Sequence, residues 1–380
     1  MRYLSILAFI SACFVVAYSA HPAMAKMQTA AKQAILKDVE TGQTLFAKNE
    51  NQRMPTSSMS KVMTMYMVFD ALKRGEISMD TEFKVSKKAW EKGGSKMFVE
   101  VDKKVKIQDL IRGVIVQSGN DATIVLAEGL AGSEDVFARK MTTKAKQLGM
   151  KNSNFTNASG WPDANHYSTA EDLAILTKAI MKDFPEYYGF YKEKEFEFNK
   201  IKQPNRNPLL YRNIGADGVK TGHTEIGGYG LIGSAANDNR RVIMVVNGLK
   251  NEKERADVGA QIIEWGLNGF ENKTIYPKGS EVAGAKVLLG KADLVPLIIQ
   301  EDLRVTLSKA GRDNIKATVH YKSPLKAPVH QGDQVAVLKL SLPDNMGEFE
   351  APLYAAQDVE VLGFFKRALA NMKLLMKNAL

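Results

Sequence analysis

Three short polar motifs occur in one order along this 380-residue chain: Ser58-Met59-Ser60-Lys61, then Ser118-Gly119-Asn120, then Lys220-Thr221-Gly222. A fold that uses them together must bring three widely separated segments to one point. Taken singly each is weak, since Ser and Lys three apart occur in many helices and a Ser-x-Asn triplet is commoner still; alone, each reads as solvated surface. The conjunction marks a site, because each motif sits in the local context that its side chains would need.

The first motif lies between Pro55 and an apolar run, residues 62–69, that reads as a buried helix. Pro55 and the cluster Thr56-Ser57-Ser58 read as its start signal. Residues three apart share a helix face, which puts the Lys61 amine within reach of the Ser58 hydroxyl. That pair is a nucleophile with its base, provided burial and a second cation push the lysine pKa down. Lys220 could be that cation. The alternative is a capping role for Ser57 or Ser58 followed by an exposed lysine.

Ser118 to Asn120 read as a turn ahead of a second apolar helix over residues 122–128. There Ser118 would pass a proton between Lys61 and a leaving amine, and Asn120 would hold a substrate amide through its donor and acceptor. The alternative is a Gly-Asn turn with a helix cap. The third motif opens the first of three strands, residues 218–224, 229–235 and 241–247, that read as an antiparallel meander. An edge strand carrying Gly222 would let a substrate backbone approach and pair with it. Backbone N–H groups of Ser58 and His223 could form an oxyanion hole; the imidazole of His223 is expected to pack or to make an outer hydrogen bond.

At these residues the chain resembles the low-molecular-mass penicillin-binding proteins, the serine-type D-alanyl-D-alanine carboxypeptidases of the peptidase S11 kind. Arg53-Met54-Pro55, the extended stretch from Asp217 to Thr224, and Tyr167-Ser168-Thr169-Ala170-Glu171-Asp172-Leu173 also carry the resemblance, which spans nearly the whole chain. It implies that Ser58 is acylated by a peptidoglycan stem peptide ending in D-Ala-D-Ala. It also implies that Lys61 is the base and that Ser118, Asn120 and Lys220 complete the centre. Thr221 and Arg255 would hold the terminal carboxylate with Arg206 nearby, and Asp172 would support the network; for the two arginines and Asp172 a surface ion pair is the other reading. The implied fold is a mixed α/β serine β-lactamase/transpeptidase-like catalytic domain with an antiparallel sheet and helices. The Glu-x-x-Leu-Asn stretch of class A β-lactamases is missing, since Glu171 precedes Asp172-Leu173-Ala174-Ile175, so long-lived acylation by penicillin is expected over rapid hydrolysis. A β-lactamase or DD-endopeptidase of the same superfamily, and a non-catalytic wall-binding protein, stay open as alternatives.

Residues 1–25 read as a secretory signal peptide: Arg2, an apolar stretch from Leu4 to Ala17, then Ala23-Met24-Ala25. The only cysteine, Cys13, falls within it, which leaves no thiol nucleophile in the exported chain. Residues 26–272 read as the catalytic domain, including an early hairpin over 38–46. The texture then changes to short strands (286–289, 303–307, 317–321, 335–342) of a small all-β domain spanning 273–362. Residues 363–380 form an amphipathic pattern: Phe365, Leu369, Met372, Leu375, Met376 and Leu380 on one face, Lys366, Arg367, Lys373 and Lys377 mostly on the other. Such a helix suits the periplasmic surface of an anionic inner membrane, the alternative being a helix docked on the β domain.

The formal net charge of +10 does not point to nucleic acid, since the lysines are scattered and no aromatic-basic module is present. His21, His166, His223, His320 and His330 show no metal-ligand spacing, and there is no glycine-rich phosphate loop, so no cofactor is expected.

Overall fold

The computed structural model describes residues 27–237, 240–309, 315–343 and 347–378; the expected signal segment, with Cys13, lies outside them. A five-stranded antiparallel sheet organises the larger part. Its strands are β1 (Gln33–Asp38), β2 (Thr44–Lys48), β3 (Ala216–Thr224), β4 (Gly228–Ala236) and β5 (Arg241–Leu249), in the spatial order β2-β1-β5-β4-β3. The meander expected from the third motif is therefore β3 to β5, and the strand carrying that motif is an edge.

Side chains on adjacent residues of these strands enter different cores, as the two-residue strand period requires. Ile35, Ile232, Ile243 and Val245 join one cluster, while Leu36, Leu231, Val242, Met244 and Val246 join the other. Both faces are thus buried, which explains why the strands read as continuous apolar runs. The second face is covered by the long helix Glu252–Gly269, whose first turn is capped by Asn251 through a 2.8 Å bond from the Glu254 N–H.

The first face is covered by a helical layer: α1 (Lys61–Lys73), α2 (Ile107–Ile115), α3 (Asn120–Ala131), α4 (Glu134–Gln147) and α5 (Ala170–Asp183); the long helix of the other face is α6. In α1, Val62, Met63, Met65, Val68 and Phe69 are all buried, so this helix is apolar on every side and runs through the core. Its N-terminal end meets β3, and there the nucleophile turn sits. The early hairpin is centred on its turn: β1 ends at Asp38, whose carboxylate accepts from the Glu40 and Thr41 N–H groups before β2 begins.

Beyond α6 the chain runs into β6 (Phe270–Tyr276), then β7 (Glu281–Leu288), β8 (Leu294–Ile298), β9 (Leu303–Ser308), β10 (Lys316–His320), β11 (Leu325–Lys326), β12 (Gln334–Ser341) and β13 (Glu348–Ala355). Six of them form a sheet in the order β10-β12-β13-β8-β7-β11 around a separate apolar core. The segment expected as strand 303–307 does not join that sheet. As β9 it pairs with β6, which itself runs across the 272/273 boundary drawn from the sequence.

This two-stranded ribbon ties the two parts together. Arg240, buried, donates to Asp38 Oδ2 from Nη2 (2.8 Å) and Nε (3.0 Å), and Nε also reaches Asn272 Oδ1 at 3.2 Å. Gln43 and Thr306 exchange two bonds, side-chain amide to carbonyl at 3.0 Å and N–H to side-chain oxygen at 2.9 Å. The chain then ends in α7 (Phe364–Asn378). Among the described residues no helix is long and apolar enough to cross a membrane.

Candidate active site

Ser58 does not sit on the first turn of α1 but on a 3-10 turn, Ser57–Ser60, that leads into it. Ser57 has a left-handed backbone (φ +50°), and the turn is closed by the Met59 N–H bonding to Thr56 O at 3.0 Å. Neither Thr56 nor Ser60 makes a side-chain cap bond here; their hydroxyls face each other at 2.5 Å.

Lys61 opens α1 and is fully buried. Its Nζ lies 2.8 Å from Ser58 Oγ, 2.7 Å from Asn120 Oδ1 and 2.7 Å from the carbonyl oxygen of Ser159. The last two partners only accept, so each takes an N–H from the amine. A neutral amine has two N–H bonds and one lone pair, and the lone pair then falls to the one partner that can donate, the Ser58 hydroxyl. The neutral form is favoured by the surroundings: burial pushes the Lys61 pKa well below the ordinary lysine value, Lys220 and Arg206 add to this, and Asp121 opposes it.

The second motif reaches the site from the turn between α2 and α3. Ser118 is buried in a left-handed conformation (φ +59°), and Asn120 begins α3. The side chain of Asn120 is engaged at both ends, accepting from Lys61 and donating to Gly93 O at 2.9 Å. This differs from the sequence expectation of an amide free to hold substrate at donor and acceptor: Asn120 first orients the lysine, and one N–H is left for a ligand.

Sequence reading missed Asp121. Its buried carboxylate accepts from the N–H groups of Met97 (2.9 Å) and Ala122 (2.9 Å) on Oδ1, and of Phe98 (2.9 Å) and Val99 (3.2 Å) on Oδ2. It pins the segment holding Gly93 and Ser95 against the head of α3. The available signal was an acid in the first turn of an apolar helix directly after the motif.

On β3, Lys220 is buried, and its pKa is brought down to about 7, first by burial and then by Arg206 and Arg255. Thr221 and Gly222 follow it, both buried. Gly222 has a task other than admitting a substrate backbone: a Cβ there would stand 2.8 Å from Thr56 O and 3.1 Å from Met59 Cγ. The bare glycine lets the edge strand press on the nucleophile turn. His223 stacks on Tyr229, its cross-strand partner, at 3.9 Å between ring centres.

Arg206 donates to Ser95 Oγ, and Arg255, from α6, lies over the Tyr229 ring at 5.5 Å. The Nε of Arg255 is buried without a hydrogen-bond partner, and its Nη2 stands 3.8 Å from the Glu252 carboxylate. Three cations thus converge where an anion is wanted. Asp172 lies apart, in the first turn of α5, accepting from Asn152 N–H (2.8 Å) and Ser153 Oγ (2.7 Å); Ser153 Oγ also meets Ser168 Oγ at 2.7 Å. It braces the segment that pairs with Met54, just before the nucleophile turn.

A cleft of about 1020 Å³ opens over the nucleophile turn, lined by Ser58, Asn120, Trp161, Tyr167, His223 and Ile226 among others. It exposes Ser58 beside Asn120, with the buried Lys61 amine 2.8 Å from the serine hydroxyl, which is the equipment for attack on a carbonyl.

The D-alanyl-D-alanine carboxypeptidase family model matches residues 18–251, and a model of the C-terminal domain of penicillin-binding protein 5 matches residues 270–361. The chain is 38% identical over 344 residues to the D-alanyl-D-alanine carboxypeptidase DacA of Haemophilus influenzae, covering 89% of this chain and 87% of that protein. It is 37% identical over 359 residues to DacC of Escherichia coli, covering 92% and 90%. The crystal structure of penicillin-binding protein 5 from H. influenzae superposes with a TM-score of 0.78 at 38% identity, covering 88% of this chain and 99% of that one. Penicillin-binding protein D2 of Listeria monocytogenes in its ampicillin-bound form has a TM-score of 0.58 at 29% identity, covering 63% and 98%.

Proposed function

The chain belongs to the D-alanyl-D-alanine carboxypeptidase family, and on that premise we propose that it removes the terminal D-Ala from peptidoglycan stem peptides through an acyl-Ser58 intermediate. The carrying observation is Lys61: its amine lies 2.8 Å from Ser58 Oγ, and its two other partners accept only.

Ser58 Oγ attacks the carbonyl of the penultimate D-Ala while its proton passes to neutral Lys61. The tetrahedral oxyanion is held by the N–H groups of Ser58 and His223. Lys220 supplies positive charge that keeps Lys61 neutral, and Ser118 carries the proton on to the departing amine of D-Ala. Arg255, Arg206 and Thr221 bind the terminal carboxylate, for which a planar guanidinium is well matched. Water then attacks the acyl-enzyme, which releases the shortened peptide and returns the proton to Ser58. A β-lactam enters the same route, but the C–N bond that breaks is in its ring, so the freed amine stays tethered to the acyl group on Ser58 and does not depart as D-Ala does.

The enzyme works outside the cytoplasmic membrane, exported by residues 1–25 and held on the periplasmic face of the inner membrane by α7. Phe364, Phe365, Leu369 and Met372 of α7 are exposed, which supports a lipid surface as their partner over docking on the β domain.

The test is release of D-Ala from a synthetic pentapeptide ending in D-Ala-D-Ala. The wild type should release one D-Ala per peptide and Ser58→Ala none above background. Equal release by both would remove Ser58 from the reaction.

A further inference from the structure

His166 is a buried histidine that the scheme above does not use, and it lies directly behind the nucleophile turn. Its ring stands edge-on to Phe155, with centres 5.5 Å apart. The backbone N–H of Thr156 reaches His166 Nδ1 at 3.2 Å, and His166 Nε2 lies 2.8 Å from Ser60 Oγ. Ser60 Oγ in turn lies 2.5 Å from Thr56 Oγ1, and Ser60 and Thr56 are both fully buried.

The contacts of the His166 ring have one direction. A backbone N–H can only donate, so Nδ1 presents its lone pair and the ring proton sits on Nε2. Nε2–H therefore donates to Ser60 Oγ, and the Ser60 hydroxyl shares a hydrogen bond with Thr56 Oγ1. Thr56 and Ser60 bracket Ser58, and Thr56 O is the atom against which Gly222 of β3 is pressed. The same loop grips the turn a second time through Ser159 O, which holds Lys61 at 2.7 Å. Gly160 seals the contact, since a Cβ there would stand 1.7 Å from Ser57 O.

We propose that His166 is a positioning residue for the nucleophile, acting through Ser60 and Thr56 to hold the 3-10 turn so that the Ser58 hydroxyl and N–H keep their aim. The ring suits this role only when neutral, because a protonated ring would turn an N–H toward the N–H of Thr156. Burial lowers its pKa to about 4, with Asp163 opposing that shift.

This inference rests on the acyl-serine reading, and one experiment separates the two. The second-order rate of acylation by benzylpenicillin is measured on the full chain for wild type, His166→Leu, His166→Gln, Ser60→Ala and the Leu/Ala double variant, each with its thermal midpoint. Leucine keeps apolar bulk without a donor, whereas the glutamine amide reaches the Nε2 position and still donates. His166→Leu and Ser60→Ala should each slow acylation by about 10- to 100-fold, as loss of an orienting partner does. The double variant should be no slower than the slower single one, as expected of links in one chain. His166→Gln should stay within about threefold of wild type.

If the variants melt lower yet acylate at the wild-type rate, or if Gln is as slow as Leu, His166 is structural and the proposal falls. Should His166→Leu not fold, Ser60→Ala decides alone: slow acylation upholds the chain of bonds and wild-type acylation removes it. No adduct on wild type would sink the acyl-serine reading itself, and this proposal with it.

Discussion

Lys61 Nζ stands 2.8 Å from Ser58 Oγ with Asn120 Oδ1 and Ser159 O taking its other two directions, so the amine has room for two protons and a lone pair aimed at the nucleophile. Lys61→Arg keeps the charge but cannot give up its proton. Acylation by benzylpenicillin should fall at least about 10³-fold. The base acts when neutral, so the acylation rate rises with pH through the lowered Lys61 pKa. Arg206 is one of the cations that lower it. Arg206→Gln should therefore shift the acid limb of the pH profile to higher pH; a shift to lower pH would contradict this electrostatic account.

Lys220 should weaken the fold that it serves. Its pKa is about 7 in the fold, below the ordinary lysine value of 10.5. The unfolded chain thus binds more protons between these values, so stability rises with pH across that window, and the penalty is full below about 7. Lys220→Met should stabilise the protein on the order of 2–4 kcal/mol at pH 7, with the gain shrinking toward pH 10, while abolishing D-Ala release. Denaturant unfolding at both pH values checks it.

Asp121→Asn replaces a carboxylate that accepts four backbone N–H groups with an amide that must turn a donor toward some of them. Stability should drop by about 2–4 kcal/mol. Acylation should slow too, because the Gly93 carbonyl that orients Asn120 is carried by the pinned segment. Calorimetry and stopped-flow acylation report the two effects separately.

The motif residues were legible because their spacing is a local property: three residues along a helical turn place an amine by a hydroxyl in almost any fold. The β3–β5 meander was legible for the same reason, with turn residues separating apolar runs. What could not be read were partners that carry no side-chain signal, the carbonyls of Ser159 and Gly93 that fix Lys61 and Asn120. Gly222 was visible, but its use was not, since only the packed structure shows that Thr56 occupies its missing side chain. β9 looked like any other strand of the C-terminal part; it pairs with β6, and its Thr306 meets Gln43, a residue far away in the sequence.

Arg255 is one of the two arginines whose charge lowers the Lys220 pKa, and the proposed reaction gives it the free carboxylate at the peptide terminus. Arg255→Gln should lower kcat/KM on a peptide ending in D-Ala-D-Ala by roughly 10- to 100-fold. On the same peptide with an amidated terminus it should change little. Equal losses on both peptides would assign Arg255 to packing on Tyr229 instead.

The proposed reaction runs through a covalent acyl group on Ser58, with Lys61 as the base. Intact-mass spectrometry of the full chain with benzylpenicillin, followed over time beside Ser58→Ala, tests it most directly. Wild type should carry a one-to-one adduct that persists after free drug is removed and is absent from Ser58→Ala. An adduct that vanishes within seconds while drug is consumed, or one that forms equally on Ser58→Ala, would contradict it.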